Sequence, residues 1–147
     1  LMSIDTMMEG LVECIKIGWT RTVGVSNFDH NRMVAAYSAL ARHNIPLASN
    51  QVHYSLLNRR IEKKGVLARA LELGIRIIAY SPLEKGLLTG KYNAGSLPSG
   101  TRRGTYAMLL PKIQPLIKTL TEIGQDHGGK TNAHSYVIEF VDAVGER

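Results

Sequence analysis

Three short apolar runs in this chain each end in side chains suited to holding a ligand. Thr22-Val23-Gly24-Val25 runs into Ser26-Asn27, Ala48-Ser49-Asn50-Gln51-Val52 into His53-Tyr54, and Gly74-Ile75-Arg76-Ile77-Ile78-Ala79 into Tyr80-Ser81-Pro82-Leu83. Ser26, Asn27 and Gln51 offer a hydroxyl and two neutral amides, the donor and acceptor set that complements a carboxamide. Tyr80 offers a flat ring for stacking. Further on, Gly86-Leu87-Leu88-Thr89-Gly90-Lys91 resembles a Walker A loop but is one residue short between its glycines. Tyr92 also stands where a Ser or Thr must hold magnesium, so the motif is rejected. A turn with free backbone N–H groups beside Lys91 survives, able to cradle phosphate oxygens without a metal. Taken singly, each of these residues is more often a cap or a turn former. A common position at neighbouring strand ends is what favours a site.

The five histidines include no pair at a metal-binding i, i+4 spacing, and Cys14 is the single cysteine, so no metal site is expected. His53, at the end of the second run, reads as a hydrogen-bonded strand-end side chain. Cys14 reads as a small buried hydrophobe on a helix and not as a reactive thiol.

The elements that must position these residues follow from periodicity. Thr6-Met7-Met8-Glu9 is a capping box, followed by Met8, Leu11, Val12 and Ile15 at helical spacing and closed by Gly18. A strand over about 20–25 follows. Asp29 then caps a helix striped by Met33, Ala36, Tyr37, Leu40 and Ala41, and a second strand covers about 47–52. A helix over about 61–73, weakened by Gly65, leads to the third strand. Helix and strand alternate with short connections, which is the pattern of a parallel βα succession with right-handed crossovers. Ligands of such sheets bind at the carboxyl ends of the strands, where the three runs stop. The texture then changes to a glycine-rich loop over 84–105. Leu109, Ile113, Leu116, Ile117, Leu120 and Ile123 form the next amphipathic helix, in which Pro111 and Pro115 predict a late start or a kink. Gly128-Gly129 ends it, and Thr131 can cap a last helix.

A chain of 147 residues is one domain by size and can bury a real core. No apolar stretch is long enough for a membrane span, and the start does not resemble a signal peptide. One cysteine excludes an internal disulfide framework and fits a reducing compartment. The formal charge of +6 admits an anionic cofactor. Arg59-Arg60, Lys63-Lys64 and Arg102-Arg103 are short scattered pairs without an aromatic-rich or zinc-finger pattern, so neither nucleic acid nor membrane is expected as a partner.

Together these motifs resemble the later part of an aldo-keto reductase. The resemblance is carried by Gly24-Val25-Ser26-Asn27-Phe28, by Ser49-Asn50-Gln51 with Tyr54-Ser55-Leu56-Leu57, and by Ala79-Tyr80-Ser81-Pro82-Leu83 with Gly86-Leu87-Leu88-Thr89-Gly90-Lys91-Tyr92. It covers roughly residues 4–133 and is greatest to plant-plastid and cyanobacterial members. The resemblance implies an α/β fold, here a partial (β/α)8 barrel of about three parallel βα units plus C-terminal helices. It also implies NADPH as cofactor, reversible reduction of aldehydes or ketones to alcohols, and a soluble protein of the cytoplasm or plastid stroma. Ser26, Asn27 and Gln51 match the carboxamide-holding positions, and Tyr80 the ring that stacks on nicotinamide. Ser81, Leu83 and Gly86 match the pyrophosphate cradle, and Lys91 a phosphate-contacting lysine, with Arg102 or Arg103 as helpers.

The family's catalytic Asp, Tyr, Lys and His would precede Leu1, and no residue here inherits a catalytic role. From His134 to Arg147 the chain departs from the family pattern. The expectation is therefore a fragment, inactive alone, whose three strands leave two open edges and an uncovered face. Two other readings stay open. One is a non-catalytic cofactor-sensing or interaction module that engages a partner chain through those edges. The other is an independent flavodoxin-like domain, which requires helices on both faces of the sheet.

Overall fold

The computed structural model describes residues 2–126, and side chains through residue 125. The chain divides into two compact units, one built from the residues up to Tyr54 together with Asn58–Tyr80, the other from Ser55–Leu57 together with the residues from Ser81 on.

The first unit opens with helix α1 (Ile4–Lys16), which begins before the expected capping box. The Ser3 hydroxyl accepts the Thr6 N–H at 3.0 Å and lies 2.8 Å from the Thr6 hydroxyl, so Ser3 is the cap and Thr6 sits in the first turn. Strand β1 (Val23–Ser26) leads to helix α2 (His30–Ala41), where Asp29 accepts the Arg32 N–H at 2.9 Å as the sequence predicts. Helices α1 and α2 lie side by side, tied by Arg42 to Asp5 at 2.6 Å and His43 to Glu9 at 3.0 Å. Strand β2 (Leu47–His53) follows. The single helix expected next is two, α3 (Arg60–Lys63) and α4 (Val66–Glu72), because Gly65 between them adopts φ +70. A left-handed residue ends one helix and starts another direction. Strand β3 (Arg76–Tyr80) completes the unit.

The strands form one parallel sheet in the order β1-β2-β3. A bulge near the start of β1 places Ala48 as an extra residue, after which Gly24 pairs with Ser49 and Ser26 with Gln51. Gly24 is required there: a β-carbon would stand 2.4 Å from the Ser49 hydroxyl and 3.1 Å from its carbonyl oxygen. α2 packs on β2 and α4 on β3. Val52 and Asn50 point to the helix side and are buried. The opposite face, with Gly24, Ser26, Gln51, Arg76, Ile78 and Tyr80, is exposed. One-sided cover of this kind eliminates the flavodoxin-like reading and is what a barrel segment shows on its inner face.

The second unit holds a kinked 3-10 turn (Glu84–Thr89) and helix α5 (Arg102–Asp126). Leu87, Tyr106, Leu110, Ile113 and Ile117 make one apolar cluster, and Leu88 with Leu120 another. The expected late start of the helix is corrected. Tyr106 is buried and its hydroxyl donates to the Lys85 carbonyl at 3.0 Å, which anchors turns ahead of the prolines. Pro111 and Pro115 lie inside the helix on its exposed side, where carbonyls deprived of a donor reach water. The 84–105 loop is thus partly a turn and partly the start of α5. The last helix expected from Thr131 and the departure from His134 lie outside the described residues. Among the described residues, no helix is long and apolar enough to cross a membrane.

Candidate functional site

A continuous line of hydrogen bonds joins the three strand ends. The Tyr80 hydroxyl donates to Asn27 Oδ1 at 3.0 Å, and Asn27 Nδ2 donates to the Ser26 hydroxyl at 3.2 Å. The Ser26 hydroxyl donates in turn to the Gln51 carbonyl at 3.1 Å. The backbone repeats the join, with the Asn27 N–H on the same carbonyl at 2.8 Å. Parallel register brings this about, because Ser26 pairs with Gln51 and His53 with Tyr80. Ser26, Asn27, Gln51 and Tyr80 therefore meet on one exposed surface of the first unit.

Asn27 takes φ +57, left-handed for a residue with a side chain. Two features hold it there. Its N–H is fixed on Gln51, and the next residue is clamped by Asn50. The Asn50 amide donates to the Phe28 carbonyl at 2.9 Å and accepts the Phe28 N–H at 3.4 Å. Asn50 is fully buried, and its amide also lies 3.6 Å from the Met33 sulfur. Sequence reasoning placed Asn50 in a motif without giving it a role. The available signal was a neutral amide on the helix-facing side of a strand, where only a paired polar group is tolerated.

Tyr80 stacks on His53 with ring centroids 5.3 Å apart and planes 12° apart. His53 Nδ1 lies 2.8 Å from the Asn58 amide, so the strand-end histidine is hydrogen-bonded as expected. One face of the Tyr80 ring is thereby taken, and the residue stays 36% exposed. Tyr54, next along β2, is buried, and its hydroxyl donates to Glu62 Oε1 at 2.5 Å. Burial, then that bond, pushes the Tyr54 hydroxyl up to about 12. Arg59, donating to the same carboxylate at 2.8 Å, holds Glu62 below the usual glutamate range.

The remaining named residues lie in the second unit. Ser81 takes φ +53, and its carbonyl accepts the Glu84 N–H at 2.9 Å. Glu84, Lys85 and Gly86 also have positive φ, and the Glu84 carboxylate accepts from the buried Ser55 hydroxyl. The expectation of free N–H groups in this turn is corrected for Gly86, Leu88 and Lys91. The Gly86 and Leu88 N–H groups donate to the Leu83 carbonyl at 3.0 and 3.2 Å, and the Lys91 N–H to the Thr89 hydroxyl at 3.2 Å. Closing such a tight turn consumes the donors it would otherwise offer. The Leu83 side chain packs on Leu88 and Leu120. The Lys91 ammonium lies 5.7 Å from the Tyr92 ring and is exposed, and the Arg102 guanidinium reaches the Lys85 carbonyl at 3.5 Å.

A one-sided parallel βα sheet with polar groups gathered at its strand ends is what a segment of a barrel-type α/β fold presents, and such folds bind their ligands at the strand ends. The aldo/keto reductase family model matches residues 2–144, and the chain belongs to that family. It is 40% identical over 122 residues to a chloroplastic pyridoxal reductase of Arabidopsis thaliana, a match covering 83% of this chain and 33% of that protein. It is 34% identical to the L-glyceraldehyde 3-phosphate reductase of Escherichia coli, covering 85% of this chain and 38% of the relative. A solved glycerol dehydrogenase from Gluconobacter oxydans shares the fold, with a TM-score of 0.75 at 24% identity over 98% of this chain and 43% of that one. The chain spans about a third to two fifths of these relatives, and its α/β architecture is a partial barrel.

Proposed function

We propose that this chain carries the nicotinamide and pyrophosphate side of an NADPH site belonging to a carbonyl reductase, the parent activity being interconversion of aldehydes or ketones with alcohols. The observation that carries the reading is the hydrogen-bonded line from Tyr80 through Asn27 and Ser26 to Gln51. The residues fit the cofactor chemically. The Asn27 amide keeps one unused N–H and a second acceptor lone pair, and no hydrogen bond to the Gln51 amide is found among the described residues. Ser26, Asn27 and Gln51 would hold the carboxamide, and the ring face of Tyr80 away from His53 would take the flat nicotinamide. In the second unit, taken by itself, Ser81, Leu83 and Gly86 are the candidates for the diphosphate, which would have to displace the bond from the Gly86 N–H to the Leu83 carbonyl, and Lys91 with Arg102 or Arg103 would supply charge. When bound, NADPH supplies the hydride for carbonyl reduction. The residues here bind and orient. None is assigned the proton transfer, so the chain alone is expected to reduce no carbonyl compound.

The test is NADPH fluorescence titration of the chain. Weak saturable binding is expected, falling about tenfold in Tyr80→Ala, the loss of one stacked ring. Equal binding by Tyr80→Ala would refute the assignment. Carbonyl-dependent NADPH oxidation by the purified chain would refute its inactivity. The Arabidopsis relative supports the plastid stroma over the cytoplasm as compartment.

A second reading draws on the bare sheet face, where Ile78 is 44% exposed, and on the open edges of β1 and β3. Such edges engage a partner chain through strand addition. A pull-down giving a defined complex, with no turnover when the other strands of the family's barrel are added, would favour it.

A further inference from the structure

The first unit contains a cavity of about 440 Å³, within the range that takes a small molecule. The stacked pair His53 and Tyr80 and the ring of Phe28 contribute to its lining, with Val52, Ile61 and Val66 adding apolar surface. Its charged lining is Arg60, Lys64 and Asp29. Arg60 and Lys64 are four residues apart, and the Lys64 N–H donates to the Arg60 carbonyl at 3.0 Å, so both belong to one helical turn.

The distribution of countercharge around that turn is uneven. Its acid, Glu62, is committed to Arg59 and to the Tyr54 hydroxyl through the same oxygen. Asp29 Oδ1 caps α2. Among the described residues, no ion pair engages Arg60 or Lys64. Two like charges one turn apart repel, and against them the lining sets one acid, Asp29, whose Oδ1 caps α2, so the charged lining stays net positive. Aromatic lining with two unneutralised cations is the chemistry of a site for a flat ring bearing an anion. Two charges suit a dianion better than a monoanion.

We propose that this cavity binds a small aromatic phosphomonoester, with Arg60 and Lys64 on the phosphate and the ring against Phe28 and Tyr80. The cavity shares Asn27 and Tyr80 with the dinucleotide reading and differs from it in its charged residues, so its test uses no cofactor and turns on Arg60 and Lys64 alone. Ligand-observed NMR of the chain with phenyl phosphate is expected to show saturable binding that weakens about tenfold or more in Arg60→Gln/Lys64→Gln and at high salt. Lys63→Gln, on the same short helix but outside the cavity lining, should change binding less than twofold. Benzoate should bind more weakly than phenyl phosphate, and neutral benzyl alcohol should be insensitive to the double substitution. Both altered side chains are exposed, so the double variant should keep the far-UV circular dichroism of the parent. Absence of phenyl phosphate binding, equal loss in Lys63→Gln, or benzoate binding as tightly would each overturn the proposal.

Discussion

Asn50 is the position where a small change should be felt most clearly. Its amide closes two hydrogen bonds on the Phe28 backbone in a fully buried setting. In Asn50→Ala both bonds go, at about 1 kcal/mol each, and the void left by the amide adds a comparable amount. The expected loss is about 2–4 kcal/mol, read as a lower urea midpoint at constant slope. Asn50→Asp separates hydrogen bonding from volume. A carboxylate can still accept the Phe28 N–H but opposes the Phe28 carbonyl, whereas its protonated form can donate there. Burial and that opposing oxygen raise the folded-state value of the new carboxyl, so the folded chain binds a proton the unfolded chain has released. Stability of this variant should therefore fall as pH rises through the carboxyl range and be partly restored in acid. An Asn50→Ala cost below about 0.5 kcal/mol, or an Asn50→Asp cost independent of pH, would show that the Phe28 clamp is not what holds the Asn27 loop.

Three further outcomes follow from single contacts. Gly24→Ala should cost about 1–3 kcal/mol, and adding Ser49→Ala should recover part of it, because the clash with the Ser49 hydroxyl disappears while the one with its carbonyl remains; additive costs in denaturant unfolding would refute this. Tyr54 titrates at about 12 when folded, above its unfolded value, so the folded chain retains a proton between about pH 10 and 12 and stability falls as pH rises through that window. Tyr54→Phe should abolish that alkaline loss, and a parallel loss in the variant would refute it. Gly65→Ala should cost about 1–2 kcal/mol by thermal unfolding although a β-carbon would meet only the His30 ring at 3.7 Å, because φ +70 is the source of strain.

The alternation of helix and strand and the meeting of Ser26, Asn27, Gln51 and Tyr80 were legible because both depend on spacing. Period-2 strands in parallel order bring equivalent ends together whatever the loops do. Boundaries set by competing local donors were less legible. Ser3 and Thr6 are both good caps, and only the chain's path shows that Ser3 wins. Gly65 was read as a weak helix residue, yet its left-handed conformation splits the helix. Pro111 and Pro115 argue for a kink or a late start, and the late start is excluded because Tyr106, bonded to Lys85 some twenty residues earlier, anchors the helix ahead of them. The turn at Gly86 shows the commonest failure: glycines announce a tight turn without saying that its N–H groups bond back to Leu83.

The strand-end line also constrains how a ligand could bind there. Tyr80, Asn27 and Ser26 already satisfy one another, so a carboxamide arriving at Asn27 adds to or exchanges hydrogen bonds that exist. Each bond made there yields at most about 0.5–1.5 kcal/mol net, because a bond to water or to a neighbour is given up to form it. What the line supplies is orientation, since Asn27 is fixed by Gln51 behind it and by Asn50 through Phe28. On the first unit, affinity for a flat amide-bearing ring must then come mainly from stacking on Tyr80. Tyr80→Phe, which keeps the ring and frees the Asn27 amide, should therefore leave NADPH affinity within about threefold while Tyr80→Ala lowers it much more. The same loss in both variants would place the binding energy in the hydroxyl and contradict the reasoning.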